Sequence, residues 1–328
     1  VKIFENHYKL FNAHIENYKQ NLSSKTPKEL YEPENYILSL GGKRVRPLLA
    51  LMACELFGNE ASCALNSALC VELFHNFSLI HDDILDNAPL RRNQQTVHVK
   101  WNTNIAILSG DVMLVKAFEI LQNYPTDEFA QLSKVFSKTA IEVCEGQQWD
   151  MNFESMNDVS VPDYIHMITF KTAVLLGCSL QMGAINAGAK TEDQLHIYEF
   201  GKHLGIAFQL LDDMLDAYAI DKDKFGKQVG GDIISNKKTF LLLKGFELAD
   251  QKQKTALNEL LKINEDKSEE KVKGVINLFN ELGVKALCEA EADKHTKIAL
   301  DHLEKINAPK EKIELLRSFA IELLNRTV

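Results

Sequence analysis

The segment HDDILD sets three carboxylates, Asp82, Asp83 and Asp86, close together. On a helix, at about 100° per residue, Asp82 and Asp86 fall roughly 40° apart on one face, with Asp83 beside them. The same spacing returns 130 residues later as Asp212, Asp213 and Asp216 in GIAFQLLDDMLD. Two like charges about 4 Å apart repel by roughly 4 kcal/mol at an effective dielectric near 20. A positive partner is therefore required, and no Lys or Arg lies within one helical turn of either cluster. Oxygen-only donors without cysteine suit a hard dication, and Mg²⁺ commonly shares such sites with substrate phosphates. Each cluster closes an unusually apolar stretch, so its carboxylates are expected to face a cavity. The alternative is a pair of acidic helix ends exposed to solvent.

An anion site should accompany such metals, and the basic residues offer one. GGKRVRP places Lys43, Arg44 and Arg46 beside a Gly pair at a helix start, where backbone N–H groups also favour anions. Arg91 and Arg92 follow the first aspartate cluster closely, and Lys227, Lys237 and Lys238 flank a loop after the second. Lys171 is the lone charge between residues 170 and 189. An ammonium there is costly unless it meets an anion or snorkels to the surface. FGKQVGG is not a phosphate-binding P-loop, since neither Ser nor Thr follows its Lys.

The elements that must position these groups read as helices throughout. Helical periodicity predicts segments near 3–21, 27–39, 44–56, 62–86, 103–122, 127–152, 161–187, 192–219, 236–249, 252–262, 270–283, 285–304 and 310–325. No run alternates as a strand would. Only 7 Pro and 16 Gly in 328 residues also favour long helices. Residues 61–80 and 170–189 are apolar on nearly every side, as expected at the centre of a large bundle. Asn66, Glu72, His75 and Asn76 make the first of these costly in a bilayer, so stable membrane insertion is not expected. Breaks come at Gly41-Gly42, at Asn87-Ala88-Pro89 and over 221–235, which reads as a loop. No linker or repeat divides the chain, so residues 1–328 are expected to form one helical domain.

A net charge of −9 argues against a nucleic-acid partner. The six cysteines form no CxxC pair and lie mostly in apolar stretches, which points to reduced core thiols in a cytoplasmic protein. The first twenty residues are mixed and polar and resemble no secretory signal.

Taken in order, GGKRVRP, DDILDNAPLRR, Gly110-Asp111, GQQWD, FKTA, GIAFQLLDDMLD and FGKQVGGDIISNKKT resemble the trans-isoprenyl diphosphate synthases, over about residues 40–240. The resemblance implies an all-α bundle of the isoprenoid synthase type with a central cavity. It implies a homodimer and a head-to-tail condensation of isopentenyl diphosphate with an allylic diphosphate. It also implies three Mg²⁺ ions with substrate bound. Two are held by the first cluster, chiefly Asp82 and Asp86 with Asp83, and a third by Asp212 with Asp216. Matching positions assign Arg91, Lys171, Thr172, Gln209, Lys227 and Lys237 to the allylic diphosphate. Lys43, Arg46, His75 and Arg92 match those that bind isopentenyl diphosphate. Asn93 stands where the family usually has Gly, and Asn tolerates the left-handed backbone such a turn needs.

By the same resemblance, bulk upstream of the first cluster closes the pocket for the growing tail. Phe77 lies five residues before Asp82, with Ser78 beside it and Phe74 about one turn deeper. This pattern looks most like synthases of the twenty-carbon product, with the fifteen-carbon product as the alternative. Both phenylalanines could equally be core residues. A class I terpene cyclase shares the fold, but its second metal motif mixes Asn, Ser or Thr with Glu. A non-catalytic partner subunit should lack metal ligands, and none is missing here.

Overall fold

The computed structural model describes residues 4–218 and 230–325. Its helices are α1 (Glu5–Leu22), α2 (Lys28–Ser39), α3 (Val45–Leu56), α4 (Leu65–Leu85), α5 (Val97–Lys100), α6 (Thr103–Glu119), α7 (Thr126–Ser155) and α8 (Val161–Ile168). They continue with α9 (Val174–Asn186), α10 (Thr191–Tyr218), α11 (Gly231–Ile234), α12 (Phe240–Leu248), α13 (Gln251–Leu261), α14 (Ser268–Glu281), α15 (Val284–Leu303) and α16 (Lys310–Leu324). The all-α expectation holds. Among the described residues the strands are a two-residue pair, β1 (Leu90–Arg91) and β2 (Gln94–Gln95).

Helix starts follow local chemistry. Ser160 and Asp163 form a reciprocal capping box at α8, and Asp250 and Gln253 form another at α13. Each satisfies two amide groups that the first turn leaves without partners. Both long apolar stretches, Ala61–Leu85 and Val161–Asn186, could cross a bilayer by length. Most of each is instead buried inside the protein, as core helices should be.

Three local departures from the periodicity matter. The predicted helix over 161–187 is interrupted by a π turn at Thr169–Ala173. Part of the predicted loop, Gly231–Ile234, is a helical turn, because the Asp216 carboxylate accepts from the Asp232 amide at 3.0 Å. The helix predicted from 236 starts only at Phe240.

The chain resolves into two compact units. The first comprises Val1–Ala140, Leu175–Tyr198 and Lys305–Ile313, and the second Ile141–Val174, Glu199–Glu304 and Glu314–Val328. In the first unit α4 packs on α3 and α6. Gly110 permits the contact with α6, since a Cβ there would run into the His81 imidazole. In the second unit a core including Tyr164, Ile168, Leu210, Phe240 and Phe279 surrounds the end of α10. Four of the six cysteines, Cys54, Cys70, Cys178 and Cys288, are buried, whereas Cys63 and Cys144 are exposed.

Candidate active site

In the first unit, α4 ends at the first aspartate cluster, and its three carboxylates have different surroundings. Asp83 is buried and is gripped by Arg91, whose Nε and Nη2 each donate to one carboxylate oxygen at 2.8 Å. Asp82 is half-buried and Asp86 is exposed. A two-residue hairpin brings Arg91 back to α4. Leu90 pairs with Gln95 and Arg91 with Gln94, leaving Arg92 (φ 51°) and Asn93 (φ 61°) as the turn. Two left-handed residues make the turn type that best matches the twist of paired strands. Part of the charge compensation is thus supplied by the chain, from eight residues away rather than one turn.

GGKRVRP separates into distinct tasks. Arg44 is buried, donating to Glu72 and, at 2.7 Å, to the Leu38 carbonyl. Lys43 is exposed. Arg46 donates to His75 Nε2 at 3.3 Å. Burial, and then the charges of Arg46, Arg92, Arg91 and Arg44, push the His75 pKa well below its usual value, so it is a neutral acceptor at pH 7. Burial lowers Arg46 to about 10, against the pull of Glu72, and it stays charged at neutral pH. Arg92 donates to the Gly41 carbonyl and lies over Gly42, where a Cβ would come 2.9 Å from Nη2. The site therefore groups several cations around a neutral imidazole, an arrangement able to receive an anion. Deeper along α4, Phe74 packs against Phe77 and edge-on against Phe136, each pair 5.5 Å apart. Phe77 also meets His81 at 4.7 Å, and the Ser78 hydroxyl donates to the His75 carbonyl at 2.8 Å.

The second unit repeats the pattern with different partners. Asp213 is buried, accepting from the Tyr164 hydroxyl on one oxygen and from Gln209 Nε2 at 2.9 Å on the other. Burial and the nearby Asp232 raise its pKa, while Lys237, Tyr164 and Gln209 oppose the rise. Asp212 and Asp216 are half-buried. Thr172 donates to Gln209 Oε1 at 3.2 Å, so Thr172, Gln209, Asp213 and Tyr164 form one chain of hydrogen bonds. Lys171 meets its anion, donating to Asp150 at 2.5 Å. Burial raises the Asp150 pKa, but Lys237 and Lys171 outweigh it and hold the carboxyl below its usual range. Lys238 turns away to donate to the Phe153 and Glu154 carbonyls near the end of α7. Lys227 lies outside the described residues.

The π turn presents Lys171 and Thr172, and two glycines admit it. A Cβ on Gly146 of α7 would fall 2.7 Å from Lys171 Cα, and one on Gly205 of α10 would fall 2.6 Å from Ala173 Cα. Extra residues of this kind inside helices often mark functional sites.

Sequence reasoning gave no role to Asp150 or Tyr164. Asp150 lies within GQQWD and was open to discovery as the counter-charge that Lys171 demands. Tyr164 has no spacing signal, because its partner is 49 residues away. Among the described residues, no three His, Cys, Asp or Glu side chains form a ready-made metal cage. In each cluster the middle aspartate is occupied by protein donors, and the outer two lie one turn apart on the same face.

A sequence model of the polyprenyl synthetase family matches residues 27–279. The chain is 34% identical over 330 residues to the geranylgeranyl diphosphate synthase of Sulfolobus acidocaldarius, covering 98% of this chain and 99% of that one. It is 33% identical over 319 residues to a geranylfarnesyl diphosphate synthase of Aeropyrum pernix, covering 94% and 98%. Among solved structures, a geranylgeranyl pyrophosphate synthase superposes with a TM-score of 0.93 at 46% identity, covering 98% of this chain and 99% of that one.

Proposed function

The chain belongs to the polyprenyl synthetase family, and on that premise we propose that it condenses isopentenyl diphosphate with allylic diphosphates to make geranylgeranyl diphosphate. It is a trans-prenyltransferase. The observation that carries the reading is the presence of both aspartate clusters, complete, in a chain similar along nearly its whole length to a geranylgeranyl diphosphate synthase.

Asp82, Asp86, Asp212 and Asp216 would hold Mg²⁺, three ions in all with substrate present. Bound Mg²⁺ supplies the Lewis acidity that turns the allylic diphosphate into a leaving group. Arg91, Lys171 and Lys237 bind that diphosphate and stabilise the charge it gains as its carbon–oxygen bond breaks. Lys227 joins them by its position in the family motif. Thr172 and Gln209 would turn their oxygens toward the allylic cation that remains. Lys43, Arg46 and Arg92 bind the second diphosphate, with neutral His75 as an additional polar contact. The double bond of isopentenyl diphosphate then attacks the cation, forming the new carbon–carbon bond. A proton leaves the neighbouring carbon for the departed diphosphate, so no protein base is needed.

Asp83 enters this reading as the residue that aims Arg91, and Asp150 as the one that aims Lys171. Phe77 and Phe74 set the depth available to the tail. Phe77→Ala is expected to extend the main product by at least one five-carbon unit, read by mass spectrometry. An unchanged product would reject Phe77 as the floor.

The protein acts as a homodimer in this reading. Leu108 and Val115 of α6, seven residues apart on one helix face, are 58% and 67% exposed, with Ile107 and Phe118 beside them. This largely apolar face, with Asp111 between Leu108 and Val115, is suited to a second copy.

The test is direct. Purified protein with Mg²⁺, isopentenyl diphosphate and dimethylallyl, geranyl or farnesyl diphosphate should release diphosphate and accumulate a twenty-carbon product. A hydrocarbon product without consumption of isopentenyl diphosphate would reassign the protein to the cyclases.

A further inference from the structure

Lys271 of α14 is a buried cation with no part in the reaction described above. The residue is 2% exposed, and it shares the buried side of its helix with Val275 and Phe279. An ammonium taken out of water is costly unless it donates where it lands. Here Nζ donates to the Ile234 carbonyl at 2.9 Å, 37 residues back in the chain and within the same unit.

Ile234 closes α11, a single helical turn of four residues. A turn that short has no stability of its own, so it must be fixed from outside. One side is fixed to the second aspartate cluster. The Gly230 amide donates to the Asp216 carbonyl at 2.7 Å, and the Asp232 amide donates to the Asp216 carboxylate at 3.0 Å. The same turn sets the start of the segment carrying Lys237, whose amide donates to the Asp232 carbonyl at 2.8 Å.

The other side is fixed to α14. Gly230 (φ 78°) approaches so closely that a Cβ there would come 2.7 Å from Val272 Cγ2. The carbonyls of Gly230, Gly231, Asp232 and Ile233 accept from amides further along the chain. Lys271 takes the next carbonyl, that of Ile234, and sets a positive charge at the negative end of the turn. Asp213, Asp232 and Lys237 line one cavity with Val275 and Phe279, so α14 also forms a wall of the site it braces.

We propose that Lys271 is a positioning residue for the second aspartate cluster, acting through α11 to hold the Asp216 carboxylate and Lys237 in place. The role rests on the reading above in which Asp212 and Asp216 hold Mg²⁺ and Lys237 binds the allylic diphosphate. Mg²⁺ demands near-ideal octahedral geometry, so a carboxylate released from its amide binds the ion less well even in a folded chain.

Lys271→Met removes the ammonium and keeps an unbranched stem. The Mg²⁺ concentration for half-maximal turnover should rise roughly fivefold or more, and the KM for the allylic diphosphate roughly threefold or more. The KM for isopentenyl diphosphate, whose basic residues Lys43, Arg46 and Arg92 belong to the first unit, should change by less than about twofold. General loosening of the fold would not give that split. If the Met variant does not fold, Lys271→Gln, with a neutral donor on a shorter arm, should show the same pattern. Asp216→Ala separates the two readings. A raised Mg²⁺ requirement in Asp216→Ala, beside unchanged constants in the Lys271 variant, would overturn the positioning role alone, and so would equal rises in all three constants. An unchanged requirement in Asp216→Ala would remove the ion from Asp216 and the role of Lys271 with it.

Discussion

Replacing Asp82 with alanine is expected to lower turnover at saturating Mg²⁺ by roughly a thousandfold, about 4 kcal/mol of lost transition-state stabilisation. The three carboxylates of the first cluster have unequal surroundings. Asp83 already has both oxygens engaged by Arg91, so it has little capacity left for an ion. Asp82 and Asp86 remain, one turn apart, half-buried and exposed respectively. Removing Asp82 leaves a single carboxylate on that face, too little to gather ions against the charge of a leaving diphosphate. Folding should survive, because the helix end is held through the backbone, with the Asp86 amide donating to the Asp82 carbonyl at 2.8 Å. Steady-state kinetics with circular dichroism as a control checks both halves of the expectation. Turnover near that of the unmodified protein would remove the first cluster from the chemistry.

Gly146→Ala is expected to be as damaging by a different route. Its new methyl group would overlap the Lys171 backbone nitrogen and approach its Cα to 2.7 Å. These are main-chain atoms of a half-buried turn, so no side-chain rotation relieves the clash. Either α7 moves away or the π turn closes into ordinary helix. The second choice rotates Lys171 and Thr172 away from Asp150 and Gln209. Overpacking of this kind costs roughly 1–3 kcal/mol or more, expected as a fall of several degrees in Tm at the roughly 2–4 °C per kcal/mol typical of larger domains. Turnover should fall further than stability alone explains, and a thermal melt beside an activity assay separates the two. A variant with unaltered Tm and activity would show that the close approach does not constrain the turn.

The sequence made the helices legible because their periodicity is long and strong, and the two apolar stretches correctly read as core. What stayed hidden was geometry that periodicity does not encode. The π turn at Thr169–Ala173 inserts one residue without disturbing the apolar pattern around it. The hairpin that returns Arg91 to Asp83 is only two residues per strand, too short to show alternation. The rule that sought a counter-charge within one turn of each cluster could not see across that hairpin. Lys171 is more legible, since a lone ammonium in an apolar helix demands an anion, although only the fold brings Asp150 to it. The glycines at 146 and 205 carried no signal, because close approach is a property of two helices rather than of one sequence window.

The central claim is that the outer aspartates of both clusters hold divalent ions on a departing diphosphate. Crystals grown with Mn²⁺ and a non-cleavable allylic thiodiphosphate would test it by anomalous scattering. The account predicts manganese peaks within bonding distance of Asp82 and Asp86 and of Asp212, each also bonded to the diphosphate oxygens. Manganese absent from those carboxylates, with the diphosphate held by basic residues alone, would contradict it.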